Sequence, residues 1–181
     1  GSPSRGRPDV LPTGRNFYTL DTRAIPTQAA WELGQQAARQ LIERYLQEHG
    51  EYPRALGLSV WGTATMRTGG DDLAQAFALI GVRPRWAPGS QRVQDFEVVP
   101  RAGLHRPRVD VTLRISGFFR DAFPLAVQMF DAAVQAVAAL EEDAEDNPIR
   151  ARILAKAQAL QAQGAGEAQA RRQAGWRVFG A

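Results

Sequence analysis

The sequence predicts an α/β fold in which a mostly parallel sheet is covered by helices, with a helical extension at the C-terminal end. Two observations support this prediction. Apolar periodicity gives the order helix, strand, helix, strand, strand, helix, and residues 108–116 alternate between apolar and polar side chains. The chain has 181 residues and is 44% hydrophobic, which is enough for one domain with a buried core.

The first half contains two predicted helices on either side of a strand. Thr27 is a suitable N-cap, apolar residues recur after it at helical spacing, and Gly50 supplies an end signal. The apolar run RALGLSVW is typical of a buried strand. The expected elements are a helix over 27–48, a strand over 54–61, a loop over 62–70 and a helix over 71–80.

The second half contains the clearest strand, over 108–116. We also expect one or two strands near Trp86 and over 92–99, and a long helix over 124–142 that begins at Pro124. Alternation places Val109, Val111, Leu113 and Ile115 on one face of the clearest strand and Arg108, Asp110, Thr112, Arg114 and Ser116 on the other.

The chain divides into three predicted regions. Residues 1–11 are rich in Pro, Gly and Arg and are expected to be a disordered tag or linker. Residues 12–148 form the α/β domain, and an acidic Asn-Pro break closes it. Residues 149–181 are expected to be a truncated helical segment, because their apolar stripe is weak and two aromatic residues stand near the end.

Composition excludes several classes of protein. Cysteine is absent, so disulfides and thiolate metal sites are excluded, which is compatible with the cytoplasmic location that we expect. No apolar run is long enough to span a membrane, and the start of the chain lacks the apolar core of a secretory signal. The net charge of +3 is spread thinly along the sequence, so we expect no nucleic-acid partner.

Three short segments combine turn chemistry with polar side chains. LPTGRNFY places Arg15 and Asn16 in an irregular stretch, where Asn16 alternatively bonds its own backbone. VWGTATMRTGGDD runs from a strand end to a helix start, where ligands often bind in α/β sheets, but it lacks a P-loop or GxGxxG pattern. Asp71 and Asp72 in this segment either cap the helix or hold a cation.

The third segment, RISGFFRDAF, follows the clearest strand. The polar face of that strand is either an exposed ladder, an internally paired surface, or the wall of a polar cavity. In the cavity interpretation, Phe118, Phe119 and Phe123 shape a site into which Arg120 and Asp121 point. Aromatic neighbours exclude water and strengthen charge interactions there.

These segments resemble the large subunit of the aerobic cobaltochelatase and its relative, the magnesium chelatase H subunit. The resemblance rests on LPTGRNFY, SVWGTATMRTGGDD and RPRVDVTLRISGFFRDAFP, and it spans about residues 9–150. It implies that the chain is part of a catalytic subunit that inserts Co²⁺ into a corrin precursor of the hydrogenobyrinic acid a,c-diamide type. It also implies three partners: the tetrapyrrole, the rest of the large subunit, and AAA+ ATPase subunits that use ATP and Mg²⁺.

The resemblance and the chemistry of metal insertion together suggest roles for residues in these segments. The bases for the inner N–H protons are Asp110 and Asp121, because neighbouring aromatic rings raise the pKa of a carboxyl. Asp71 and Asp72 are candidate transient metal contacts. Candidate substrate contacts are Arg15, Asn16, Trp61, Thr63, Arg67, Arg114, Ser116 and Arg120.

Two other functions stay open from the sequence. The segments could build a structural module that docks the ATPase partners and has no ligand site of its own. The chain could also be a small dinucleotide-binding enzyme with its cofactor over residues 62–70, although the glycine fingerprint is missing.

Overall fold

Three parallel strands form the main sheet, in the order β1-β4-β5, and two antiparallel strands form a separate ribbon. The computed structural model describes residues 20–180. The strands are β1 (Ala55–Val60), β2 (Val82–Trp86), β3 (Val93–Val98), β4 (Asp110–Ile115) and β5 (Val178–Gly180). The helices are α1 (Gln28–His49), α2 (Gly62–Thr68), α3 (Asp71–Ile80), α4 (Arg101–Leu104), α5 (Gly117–Ala122), α6 (Pro124–Ala138), α7 (Pro148–Ala162) and α8 (Glu167–Gly175).

The predicted fold class is confirmed, with the core on the apolar face of β4. Val111 and Leu113 are buried there. They join a core that includes Phe77 of α3 and Phe130 of α6, whose rings meet edge to face with centroids 5.6 Å apart. Such aromatic pairs add to the stabilisation from apolar burial.

The polar face of β4 is internally paired at its start. Arg108 and Asp110 are buried, but each pairs with a residue far along the chain rather than with a neighbour on the strand. Arg108 binds Glu142, with Nε–Oε2 at 2.7 Å and Nη2–Oε1 at 2.8 Å. At the other end of the strand Arg114 is exposed, so the polar face changes from buried to open along its length.

Residues 62–68 form a helix, so the prediction of a loop over 62–70 was wrong for most of that range. Helix α2 ends at Gly69, which has a positive φ of 81° and donates its N–H to the carbonyl of Thr65. The hydroxyl of Thr65 bonds the carbonyl of Trp61 at 2.9 Å. A short helix thus stands where the dinucleotide hypothesis needs a glycine-rich phosphate loop, which removes the basis of that hypothesis.

The C-terminal segment, which the sequence predicts as a region of its own from residue 149, is joined to the α/β domain through β5. Strand β5 pairs in parallel with β4. Just before it, Arg177 binds the buried Asp110 through two contacts, Nε–Oδ1 at 2.6 Å and Nη2–Oδ2 at 3.0 Å. Arg152 of α7 adds a third contact to Oδ2 at 3.1 Å.

Helix α6 ends at Ala138, four residues before the predicted end at 142. The reason is side-chain capping: Asn147 donates to the carbonyl of Val137 at 2.9 Å, and Arg150 donates to that of Ala138 at 3.1 Å. The acidic residues that follow Ala138 are therefore not helical, and Glu142 forms an ion pair with Arg108.

Helix α1 packs closely against α3 because Gly34 has no side chain. A Cβ atom at this position would lie 2.5 Å from the Cβ of Ala74 and 2.6 Å from the amide nitrogen of Gln75. The helix is 22 residues long and carries five charged side chains, Glu32, Arg39, Glu43, Arg44 and Glu48. Within residues 20–180, no helix combines the length and apolar character needed to cross a membrane.

We expect Gly34→Ala to destabilise the fold by about 1–3 kcal/mol, because the added methyl group forces the two helix backbones apart. Gly103→Ala is the matched control, because the nearest atom to its Cβ would be a Val99 methyl at an ordinary 3.5 Å. The measurement is urea unfolding of the 181-residue chain by circular dichroism. Equal unfolding midpoints for the two variants would contradict the close packing described here.

We expect Asp110→Asn to destabilise the fold by about 3–5 kcal/mol, because it leaves the buried guanidinium of Arg177 without a counter-charge. Asp121→Asn also removes one carboxylate from an Arg–Asp pair, but that pair is exposed and its loss should leave the midpoint nearly unchanged. Urea unfolding of both variants tests this contrast. A similarly small change in the unfolding midpoint of both variants would show that the Asp110–Arg177 pair does not hold β5 to the sheet.

Candidate functional site

The candidate site lies at the carboxyl edge of the main sheet. Strands β1 and β4 pair in register from Ala55 and Asp110 to Val60 and Ile115, so their carboxyl ends coincide. The residues that follow both strands therefore lie at the same edge, which is where open α/β sheets usually bind ligands. A short helix begins directly after each strand, α2 after β1 and α5 after β4.

Ser116 holds these two helix starts together. Its hydroxyl accepts hydrogen bonds from the amide of Gly62 at 3.2 Å and the amide of Phe119 at 3.1 Å. Its own amide donates to the carbonyl of Val60 at 3.1 Å. Gly62 is required here, because a Cβ atom would overlap the ring of Phe118. The sequence predicted Ser116 as a substrate contact, and the structure gives it a positioning role at the same place.

Three large apolar side chains are exposed around this junction, and we call them the apolar edge: Trp61, Met66 and Phe118. Their exposed fractions are 54%, 43% and 47%. Met66 follows Gly62 by one helical turn, so it lies on the side of α2 that meets α5. Large exposed apolar patches mark binding surfaces, whereas single exposed apolar residues are ordinary.

Charged and polar side chains flank the apolar edge. Thr63 and Arg67 are exposed one turn apart on α2, and Arg120 and Asp121 are exposed on α5. The Arg120 Nε lies 2.9 Å from the Asp121 Oδ1. This hydrogen bond, together with the positive charge of Arg120, lowers the pKa of Asp121 below its ordinary value of 3.8. The expectation that aromatic neighbours raise the pKa of Asp121 was therefore wrong.

Two of the three phenylalanines in RISGFFRDAF belong to the core. Phe119 and Phe123 are 0% and 1% exposed, and their ring centroids are 5.2 Å apart. They anchor α5 to the domain instead of walling a site. Only Phe118 is available to a ligand, so the expectation of three aromatic walls is corrected to one.

The candidate residues on β4 separate along the strand. Asp110 lies at its amino end, about 17 Å from the apolar edge at a rise of about 3.3 Å per residue. Its carboxylate is occupied by Arg177 and Arg152, which makes it a structural anchor. Arg114 lies near the carboxyl end, next to Ser59 and Phe179 in the sheet register, and is exposed.

Asp71 and Asp72 begin α3 after the left-handed Gly69 and Gly70. Burial raises the pKa of Asp72, and the charge of Asp71 raises it further. Two adjacent carboxylates that repel each other favour a cation, but residues 20–180 contain no group of three His, Cys, Asp or Glu side chains able to hold a metal ion. A metal contact here would need ligands from elsewhere.

Two predicted residues lie outside the described part of the chain, and one residue of the candidate site was not predicted. Arg15 and Asn16 lie outside the described residues. Met66 was missed because a single methionine in a presumed loop gives no signal. The helical phase that links it to Gly62 would have drawn attention to it if α2 had been predicted.

A family model and curated relatives both match this chain to chelatase subunits. The family model described as CobN/Magnesium Chelatase matches residues 1–181. The chain is 66% identical to the "Aerobic cobaltochelatase subunit CobN" of Pseudomonas aeruginosa and 63% identical to that of a Sinorhizobium species. Both alignments cover 100% of this chain and 14% of the relative.

A solved structure also matches. The "Catalytic Subunit of Cobaltochelatase from Mycobacterium tuberculosis" is 54% identical, with a TM-score of 0.84 over 99% of this chain and 15% of that one. The chain thus corresponds to a small part of a much longer type of subunit. Because the family model matches the whole length of this chain, the chain belongs to the CobN/magnesium chelatase family.

Proposed function

We propose that this chain is part of the catalytic subunit of an ATP-dependent chelatase that inserts Co²⁺ into a corrin precursor in cobalamin biosynthesis. We further propose that the apolar edge and its flanking arginines contact the tetrapyrrole. The observation that supports this most is the exposure of Trp61 and Phe118 at adjoining strand ends, beside Arg67 and Arg120. The names of the Pseudomonas aeruginosa and Sinorhizobium relatives support cobalt as the metal.

The apolar edge matches the chemistry of a macrocycle. A tetrapyrrole presents a broad unsaturated face and a rim of carboxylates. Trp61 and Phe118 offer ring surfaces for the face of the macrocycle, and Met66 is a flexible side chain that adapts to an irregular shape. Their exposure without a ligand is unfavourable in water, so a ligand that covers them gains apolar burial.

The arginines match the carboxylate rim. Guanidinium groups bind carboxylates through two parallel hydrogen bonds, and Arg67, Arg114 and Arg120 are exposed near the carboxyl edge of the sheet. Arg120 is held by Asp121, but an exposed pair of this kind contributes little and is readily exchanged. A substrate carboxylate that captures Arg120 would release Asp121, whose pKa would then rise toward its ordinary value.

The remaining steps of the reaction involve protons and metal. Asp121, once released by Arg120, is a candidate acceptor of an inner N–H proton. Asp71 and Asp72 are candidate transient contacts for the incoming Co²⁺, because their mutual repulsion is relieved by a cation. Other ligands, the AAA+ subunits and the ATP and Mg²⁺ that those subunits use belong to the rest of the complex, which we propose to be cytoplasmic.

A second candidate function is docking of the AAA+ subunits without a ligand site. One observation favours it: Trp176 and Phe179, close to the end of the described residues, are 58% and 45% exposed. Aromatic side chains exposed in this way are common at protein interfaces. Under this alternative the terminal aromatics contact the partner, and the apolar edge has no role in tetrapyrrole binding.

We expect Trp61→Ala and Phe118→Ala in a full-length subunit each to weaken tetrapyrrole binding about 3- to 10-fold, because each removes one aromatic contact. The measurement is absorbance titration with hydrogenobyrinic acid a,c-diamide. Trp176→Ala is the matched control, because it removes an exposed aromatic ring from another part of the domain. Unchanged binding in the first two variants, with loss of ATPase-subunit pull-down in the third, would favour the docking function.

We expect the carboxyl carbon of Asp121 to titrate below pH 3.8 in the free protein, because Arg120 stabilises the ionised form. Any stability that this pair adds is therefore present above pH 3.8 and is lost as the pH falls through the lowered pKa. In Arg120→Ala the midpoint should return toward 3.8. The measurement is a carbon NMR pH titration of Asp121 in the unmodified protein and in the variant. An unchanged Asp121 midpoint in the variant would show that the pair does not form in solution.

A further inference from the structure

A groove of about 570 Å³ runs between α1, strand β2 and helix α4. Its α1 wall extends from Trp31 to Leu46, about 22 Å at a rise of about 1.5 Å per residue. The other wall includes the end of α3, where the Leu79 carbonyl accepts a hydrogen bond from Val109 at the start of β4. The groove therefore lies toward the amino end of β4, away from the apolar edge, and is lined by none of the predicted site residues that lie within residues 20–180.

Arginines outnumber carboxylates among the described charged side chains that line the groove. Arg39, Arg83 and Arg106 contribute guanidinium groups, and Glu43 is the only carboxylate residue among the lining side chains. Arg39 and Arg83 are exposed, and neither forms an ion pair with a residue in the range 20–180. An exposed carboxylate that entered the groove would therefore find two cations that are not held in a described ion pair.

Arg106 adds a cation that the domain itself does not neutralise. Its guanidinium donates to the carbonyl oxygens of Ala78 at 2.5 Å, Leu79 at 3.2 Å and Pro107 at 2.9 Å. All three acceptors are uncharged, and no described carboxylate lies within ion-pair distance. Burial lowers the pKa of Arg106 to about 10, with a further contribution from the charge of Arg108, so the group remains charged at neutral pH.

The floor of the groove is apolar. Trp31, Ala38 and Ile42 of α1 are 6%, 2% and 5% exposed, and Val82 of β2 closes the floor from the other side. A long channel with an apolar floor and a basic rim fits a polypeptide segment that carries both acidic and apolar side chains. A compact ligand would use only part of the 22 Å wall.

We propose that this groove, which we call the α1 groove, binds an acidic amphipathic segment of the same chelatase subunit from outside these 181 residues. Its carboxylates would contact Arg39, Arg83 and Arg106, and its apolar side chains would lie over Trp31 and Ile42. The relatives are far longer than this chain, which covers 14% of their length, so a full-length subunit contains further polypeptide from which such a segment would come. The inference does not depend on the proposed tetrapyrrole contact.

The first test is photo-crosslinking in a full-length subunit. A benzophenone amino acid replaces Gln35, an exposed residue on the wall of the groove, and a second variant carries it in place of Gln169, an exposed residue on α8. We expect position 35, and not 169, to give a crosslink within one subunit to a segment rich in Asp and Glu. A crosslink to a neutral or basic segment, a crosslink to another subunit, or no crosslink would overturn the proposal.

The second test reverses charge. Arg39→Glu combined with Arg83→Glu should lower the yield from position 35 about fivefold, since each exposed ion pair that is lost corresponds to a factor of about two and the new carboxylates repel the segment. Arg171→Glu combined with Arg172→Glu, on the exposed part of α8, is the matched control and should leave the yield unchanged. Replacing the acidic residues of the crosslinked segment with Lys should restore the crosslinking yield in the variant that carries Arg39→Glu and Arg83→Glu. Equal crosslinking yields in the two double variants would overturn the proposed charge complementarity between the groove and the segment.

Discussion

The buried guanidinium of Arg108 is the interaction on which the placement of the other elements depends. It is 0% exposed and donates five hydrogen bonds, two to Glu142 and one each to the carbonyls of Ile80, Gly81 and Val99. A buried cation is strongly unfavourable unless such partners are all present. The end of α3, the end of β3 and the chain after α6 must therefore meet at the start of β4.

This constraint extends to the candidate site through β4. Because the amino end of the strand is fixed by Arg108 and Asp110, its carboxyl end delivers Ser116 beside β1, and Ser116 then holds the starts of α2 and α5. The apolar edge is the outer surface of that junction. The buried charges thus lie at the amino end of β4, and the exposed aromatics lie beyond its carboxyl end. The charges stabilise the fold, and the aromatics are available for binding.

The site was partly predictable because its position follows from chain order. Residues after parallel strands meet at one edge, so chain order places Trp61, Ser116 and Arg120 at the same end of the sheet, and their substrate contacts stay predictions. The role of Asp110 was not predictable, because its partner Arg177 is 67 residues away and no local pattern links them. The exposure of Phe118 beside the buried Phe119 was also unpredictable, since adjacent identical residues differ only in which side of a short helix they occupy.

The sequence by itself determined the fold class, most helix and strand positions and the family, because periodicity, caps and motifs are local properties of the chain. The tertiary structure decided which charges are buried, that β5 joins the main sheet, and that Arg39, Arg83 and Arg106 share a groove. The physical reason is that burial and pairing depend on which distant segments come together. Arg108 and Arg114 share the predicted polar face of one strand, but only the folded chain buries Arg108 and leaves Arg114 exposed.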